Sequence, residues 1–442
     1  MRARSAHPSR ITSTIRSHAN IQLCAQCRHP SLYITQNRHQ SSIASAVKQI
    51  LTNGTKTEPP ISFDPLRSVA KEMKFLTKNI RDLLGSGHPM LDKVAKYYTQ
   101  SEGKYVRPML VLLMSRATAI APKETRSQIS PISQRGIDTP FAIPSILNDS
   151  NPSASQLLPL TANDGLLYES TDPDAENILP SQRRLAEITE LIHTASLLHD
   201  DVIDHSTARR GMPSANLAFS NKLAVLAGDF LLGRASVALA RLRDPEVTEL
   251  LATVIANLVE GEFMQLRNTA KDEKRPVWTP ETLTYYLQKT YLKSASLISK
   301  SCRAAALLGQ SSPAVVEAAY AYGKNLGLAF QLVDDMLDYT ESGAGLGKPA
   351  GADLELGLAT APLLFAWESM PELGTLVGRK FANEGDVEQA RTLVLQSSGL
   401  EQTRALAQSY VDQAIDAIKD FPPSEAKEGL EEMCTKVMKR RK

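Results

Sequence analysis

Three features of the sequence predict an all-α fold. From Ser62 onward apolar residues recur at helical spacing, strict apolar/polar alternation is almost absent, and the longest segments are rich in Ala and Leu. The first stripe runs through Leu66, Val69, Ala70, Met73, Leu76 and Ile80 to Leu83 and Leu84. Gly103-Lys104-Tyr105-Val106-Arg107-Pro108 opens a further helix, and the segments 222–243, 246–268, 281–309 and 313–340 continue the pattern as long helices. Residues 127–180 break it, being crowded with Ser, Pro, Asn and Asp without a sustained period, and are expected to form a disordered insertion.

Composition narrows the function classes. No uncharged apolar run reaches the roughly 18 to 20 residues of a bilayer-spanning helix. The 4 Cys, at positions 24, 27, 302 and 434, are too scattered to staple a chain of 442 residues, which favours a reduced compartment. Cys24 and Cys27 form C-x-x-C with no second pair to complete a zinc site. The formal net charge of +2 hides a polarised chain, because residues 1–57 contain Arg and Lys but no Asp or Glu. Arginines spread among Ser and Thr there predict an organellar transit peptide, whereas a nucleic-acid-binding arm would cluster them. Residues 58–442 are then the functional domain, interrupted by the 127–180 insertion.

Two acidic clusters carry the chemistry. Leu197-Leu198-His199-Asp200-Asp201-Val202-Ile203-Asp204 and Phe330-Gln331-Leu332-Val333-Asp334-Asp335-Met336-Leu337-Asp338 share the spacing D-D-x-x-D. On a helix, i and i+4 carboxylates stack on one face about 6 Å apart and share a hard cation. Each cluster sits among apolar residues, a poor setting for unpaired anions. Oxygen-only donors favour Mg²⁺ over zinc, and mutually repelling acids require several such ions. Carboxylate-held Mg²⁺ commonly serves phosphate oxygens, and Lys104, Arg107, Arg209, Arg210, Lys289 and Lys348 supply matching cations. His193 lies seven residues before Asp200, two turns away on one face, as a phosphate donor.

These residues resemble the trans-isoprenyl diphosphate synthases, most closely the mitochondrial long-chain all-trans-polyprenyl diphosphate synthases of ubiquinone biosynthesis. The motifs are G-K-x-x-R-P at 103–108, I-H-T-A-S-L-L-H-D-D-V-I-D at 192–204, R-R-G-x-P at 209–213, G-D-F at 228–230, E-G-E at 260–262, K-T at 289–290 and F-Q-L-V-D-D-x-L-D at 330–338. The resemblance implies a large helical bundle of the isoprenoid synthase type around a central apolar cavity, dimeric or larger. It implies that Lys104, Arg107, His193 and Arg210 hold isopentenyl diphosphate. Arg209, Lys289, Thr290, Gln331 and Lys348 would contact the allylic diphosphate, with Lys289 also catalytic. Asp200, Asp204 and Asp334 would bind about three Mg²⁺, assisted by Asp338. A mitochondrial matrix location follows from the same resemblance, with inner-membrane contact for release of an apolar product. Two departures stand out: Glu102 and Tyr105 replace a Gly and a basic residue, and Gly357-Leu358-Ala359-Thr360 stands where many relatives have G-K-x-T.

Ala195 and Ser196, five and four residues before Asp200, stand where short-chain relatives place a large aromatic, so the tunnel is expected to stay open for a long product. The alternatives are a shorter-chain, geranylgeranyl-type synthase or a subunit of a heteromeric synthase. A class I terpene cyclase is disfavoured by Lys104, Arg107 and the second D-D-x-x-D.

Overall fold

The computed structural model describes residues 64–99, 105–124, 178–209, 211–266, 276–340 and 351–440. The expected transit peptide, most of the insertion, and Lys104, Arg210 and Lys348 lie outside the described residues. The principal helices are α1 (Ala70–Leu83), α2 (Pro89–Ala95), α3 (Val106–Ala119), α4 (Pro180–Ile203), α5 (Asn221–Arg241), α6 (Pro245–Leu266), α7 (Pro280–Thr290), α8 (Ser296–Leu308), α9 (Pro313–Thr340), α10 (Ala361–Ser369), α11 (Asp386–Gln396), α12 (Gly399–Ala417) and α13 (Glu425–Met438). Among the described residues the sheet content is one hairpin, in which β1 (Ala208–Arg209) pairs antiparallel with β2 (Met212–Pro213).

Helix α4 organises one half of the bundle, packing on α5, α3, α8 and α1. Its start illustrates the local rules. Pro180 occupies the first helical turn, the Leu179 N–H donates to Gln182 Oε1 at 2.9 Å, and Gln182 Nε2 donates to the Ala305 carbonyl of α8 at 2.8 Å. Ile178 is already buried, so the packed core resumes there, inside the segment expected to be insertion. Lower on α4 the buried pair Arg184–Glu187, 2.7 Å apart, takes a further bond from Asn79 of α1 at 2.8 Å. Helix α9 organises the other half against α8 and α12, and α13 closes over α3 and α9. The core draws Leu110, Leu113, Leu185, Leu231, Ala305, Leu326 and Leu430 from these helices.

One expectation needs correction. The segment 281–309 is not one helix: α7 ends at Thr290, a wide i→i+5 turn occupies Tyr291–Ala295, and α8 follows. Helix α5 is long and apolar enough to cross a membrane by length and composition, despite Asp229 and Arg234; its Ala224, Ala227, Leu231 and Ala235 are buried in the bundle.

Candidate active site

The first acidic motif closes α4. Asp200 and Asp201 are in its last turn and Asp204 caps it, its N–H donating to the Asp200 carbonyl at 2.8 Å. The i, i+4 relation is thereby kept across the helix end. His199 fixes this end against α5: its Nε2 lies 3.2 Å from the Val225 carbonyl and 3.5 Å from Asp229 Oδ1. Gly228 lets the ring lie close against α5, since a Cβ there would come to 2.2 Å from His199 Nε2 and the imidazole would have to move. Burial pushes the Asp200 carboxyl up to about 6, with Lys293 pulling the other way.

Arg107 and His193 come together as expected, with Arg107 Nη1 and His193 Nε2 at 2.9 Å. Tyr105, beside Lys104, adopts a left-handed conformation with φ 43°. Strain of this kind in a non-glycine residue persists only where its surroundings impose it.

The second motif lies on α9, where Asp334 accepts from Arg440 Nη1, and the Arg440 guanidinium lies 4.5 Å from the Phe330 ring centre. The basic C-terminus, to which the sequence assigns no role, therefore answers a candidate metal ligand. Gln331 bridges two elements: its Oε1 accepts from Ser294 Oγ and its Nε2 donates to Asp335, both at 2.8 Å.

Three of the expected site residues have surroundings the sequence did not foretell. Thr290 is buried at 1% exposure beside Tyr286, and Lys289 is buried at 9% with its Nζ 5.2 Å from the Tyr286 ring centre. The lysine that acts on Asp200 and Asp204 is instead Lys293, whose Nζ pairs with Glu262 at 2.5 Å. Burial opposes its charge, yet Asp200, Glu262 and Asp204 hold it above its ordinary value. In an unbroken helix Lys289 and Lys293 would share a face. The wide turn takes up an extra residue and slips that register, so Asp200 and Asp204 act on Lys293 while Asp335 and Asp353 act on Lys289, with Glu262 common to both. Gly261 and Gly327 let α6 and α9 close on the turn: added Cβ atoms would lie 2.9 Å from Lys293 N and 2.7 Å from Ala295 Cα. The sequence signal was the second Lys-hydroxyl pair, Lys293-Ser294, four residues after Lys289-Thr290. The third case is Asp338, whose carboxylate oxygens accept from the Ala352 and Asp353 N–H groups at 3.2 and 3.3 Å, capping a short helix. That contact gives it a structural task.

Asp200 and Asp204 fit a hard cation: they are oxygen-only donors on one face, and Asp200 sits where burial penalises an uncompensated charge. Among the described residues no three His, Cys, Asp or Glu side chains converge to hold a metal alone. Carboxylate oxygens paired in this way suit a divalent metal that keeps positions open for other oxygen ligands. Ala195 is fully buried and Ser196 half-buried, the Ser196 hydroxyl donating to the His193 carbonyl at 2.9 Å.

An all-α bundle carrying two D-D-x-x-D helices, with Arg209 and Lys293 beside the first and Arg440 beside the second, defines a protein of the isoprenoid synthase class. The polyprenyl synthetase profile matches residues 162–394. A protein of Neurospora crassa named "Probable hexaprenyl pyrophosphate synthase, mitochondrial" is 68% identical over 92% of this chain and 87% of its own length. The "Hexaprenyl pyrophosphate synthase, mitochondrial" of Saccharomyces cerevisiae is 47% identical over 86% and 91%. A Caulobacter crescentus polyprenyl synthase crystallised with calcium and isoprenyl diphosphate superposes with a TM-score of 0.67 at 30% identity, covering 87% of this chain and 100% of that one. The chain belongs to the polyprenyl synthetase family, and it is a prenyltransferase.

Proposed function

We propose that this chain condenses isopentenyl diphosphate repeatedly onto an allylic diphosphate, giving a long all-trans-polyprenyl diphosphate that serves as a ubiquinone side-chain precursor in the mitochondrial matrix. The observation that carries the reading is the pair of acidic helices each met by a cation of the chain, Lys293 at Asp200 and Asp204 and Arg440 at Asp334. Such an arrangement suits a metal-diphosphate group.

Asp200, Asp204 and Asp334 would hold about three Mg²⁺, which supply electrostatic stabilisation of the departing diphosphate. Arg209, Lys293 and Gln331 face that group, while Arg107 and His193 hold isopentenyl diphosphate together with Lys104 and Arg210. Breakage of the allylic C–O bond leaves an allylic cation. The isopentenyl double bond attacks it, and loss of a proton to the released diphosphate restores an allylic product one C5 unit longer. The side chains of Asp200, Asp204 and Asp334 are themselves only half-buried, so the cation would be kept from water by lying below them, toward the buried Ala195. Ala195 and Ser196 leave room below Asp200 for the growing tail.

Assembly is through a second copy of the chain. Helices α5 and α6 expose Val225, Leu226, Val259, Phe263 and Leu266, an apolar surface of the kind that marks an interface. A Schizosaccharomyces pombe relative, 47% identical, is named "Decaprenyl-diphosphate synthase subunit 1", which keeps a heteromeric assembly as the second reading.

The test is to incubate the purified chain alone with farnesyl diphosphate, isopentenyl diphosphate and Mg²⁺, followed by product chromatography and sedimentation. Long polyprenyl diphosphates from a homodimer are expected. Inactivity relieved only by a second subunit would establish the heteromer, and cyclised hydrocarbons would overturn the reading.

A further inference from the structure

Each acidic motif contains a second aspartate, Asp201 or Asp335, outside the carboxylates assigned to metal. Both turn inward, at 0% and 3% exposure. Each meets a buried tyrosine hydroxyl: Tyr98 donates to Asp201 Oδ2, and Tyr286 to Asp335 Oδ2 at 2.5 Å. The other carboxylate oxygen then receives a side chain that faces the site. Asp201 Oδ1 accepts from Arg209 Nε at 2.8 Å and Nη2 at 2.6 Å, and Asp335 Oδ1 accepts from Gln331 Nε2 at 2.8 Å. The two sequence segments around the tyrosines are unrelated, yet they build the same relay.

The donor inventory closes around these groups. Tyr98 Oη accepts the Ala215 N–H at 2.8 Å, so its single proton is committed to Asp201. Gln331 Oε1 accepts from Ser294 Oγ and one Nε2–H donates to Asp335, which leaves the second Nε2–H for the allylic diphosphate. Arg209 stands on the two-residue strand β1, which is too short to immobilise a long side chain without help. A carboxylate held at both oxygens supplies that help, and it is engaged by protein donors in place of a metal.

We infer that Asp201 and Asp335 are positioning residues, each clamped by a buried tyrosine hydroxyl, that aim Arg209 and Gln331 at the allylic diphosphate. This rests on the proposed reading that Arg209 and Gln331 face that group, and the experiment separates the two claims. Tyr98→Phe and Tyr286→Phe remove only the hydroxyls. In the full chain, each is expected to raise KM for farnesyl diphosphate about tenfold, the effect of loosening one charge-assisted hydrogen bond. KM for isopentenyl diphosphate should stay within about twofold, because Arg107 and His193 lie outside the relay. Calorimetric binding of inorganic diphosphate in the presence of Mg²⁺ should weaken by the same tenfold factor.

Arg209→Ala is the control. If it leaves allylic KM unchanged, the assignment of Arg209 to the diphosphate fails. If it raises allylic KM while Tyr98→Phe does not, the positioning inference fails. In the Arg209→Ala background Tyr98→Phe should add no further loss; an additive loss overturns the relay. A fall in thermal stability with equal rises in both KM values would make the hydroxyl merely structural. Should Tyr98→Phe not fold, Tyr286→Phe tests the second relay by the same split.

Discussion

Replacing Lys293 by Met tests the assignment that departs most from the sequence motif. The ammonium sits 2.5 Å from a Glu262 carboxylate oxygen and within electrostatic reach of Asp200 and Asp204, with its side chain only 21% exposed. At an effective dielectric of about 20, a unit charge near 4 Å is worth about 4 kcal/mol. The loss of one positioned group stabilising developing charge costs about 10²- to 10³-fold in turnover. Lys293→Met is therefore expected to lower kcat/KM by at least ~10²-fold. Lys289→Met should lose less than about tenfold, since that lysine is buried against Tyr286 and burial already disfavours its charge. The assay is the initial rate of labelled isopentenyl diphosphate incorporation, with thermal unfolding run alongside to detect misfolding. Near-normal turnover in Lys293→Met with collapse in Lys289→Met would refute the register argument and restore the Lys289-Thr290 assignment.

Ala195→Phe should stop elongation near about C15 to C20, because it places a ring roughly 7.5 Å of helical rise below Asp200 in close-packed surroundings; wild-type product from an active variant would sink the tunnel path. Burial pushes the Cys302 and Cys434 thiols up to about 12, so both stay protonated near pH 8 and form thiolate only as the pH approaches that value. A chain starting after residue 57 should thus resist Ellman's reagent at pH 8 until denatured, and rapid labelling of the native protein would contradict their burial. Residues 1–57 fused to a fluorescent reporter should direct it to mitochondria through their acid-free, Arg-rich composition; a diffuse cytosolic signal would count against a transit peptide.

Features that depend on local periodicity were legible before any packing was known. Helical spacing gave the all-α class and placed α5, α6 and α9 to within a few residues, and the i, i+4 spacing put Asp200 and Asp204 on one face. The encounter of Arg107 with His193 was legible through the combination of motifs. Tertiary structure decided the rest, because the deciding contacts join residues far apart in the chain. Whether Lys289 or Lys293 faces the first motif depended on a hydrogen-bond slip over Tyr291–Ala295, which α6 and α9 accommodate at Gly261 and Gly327. Asp338 has the same motif position as Asp204, yet backbone donors at Ala352 and Asp353 claim its carboxylate. Arg440 reaches Asp334 across 106 positions, and Tyr98 reaches Asp201 across 103. Periodicity reports which face of a helix is apolar; which partner each polar atom on the other face receives is set only when the helices pack.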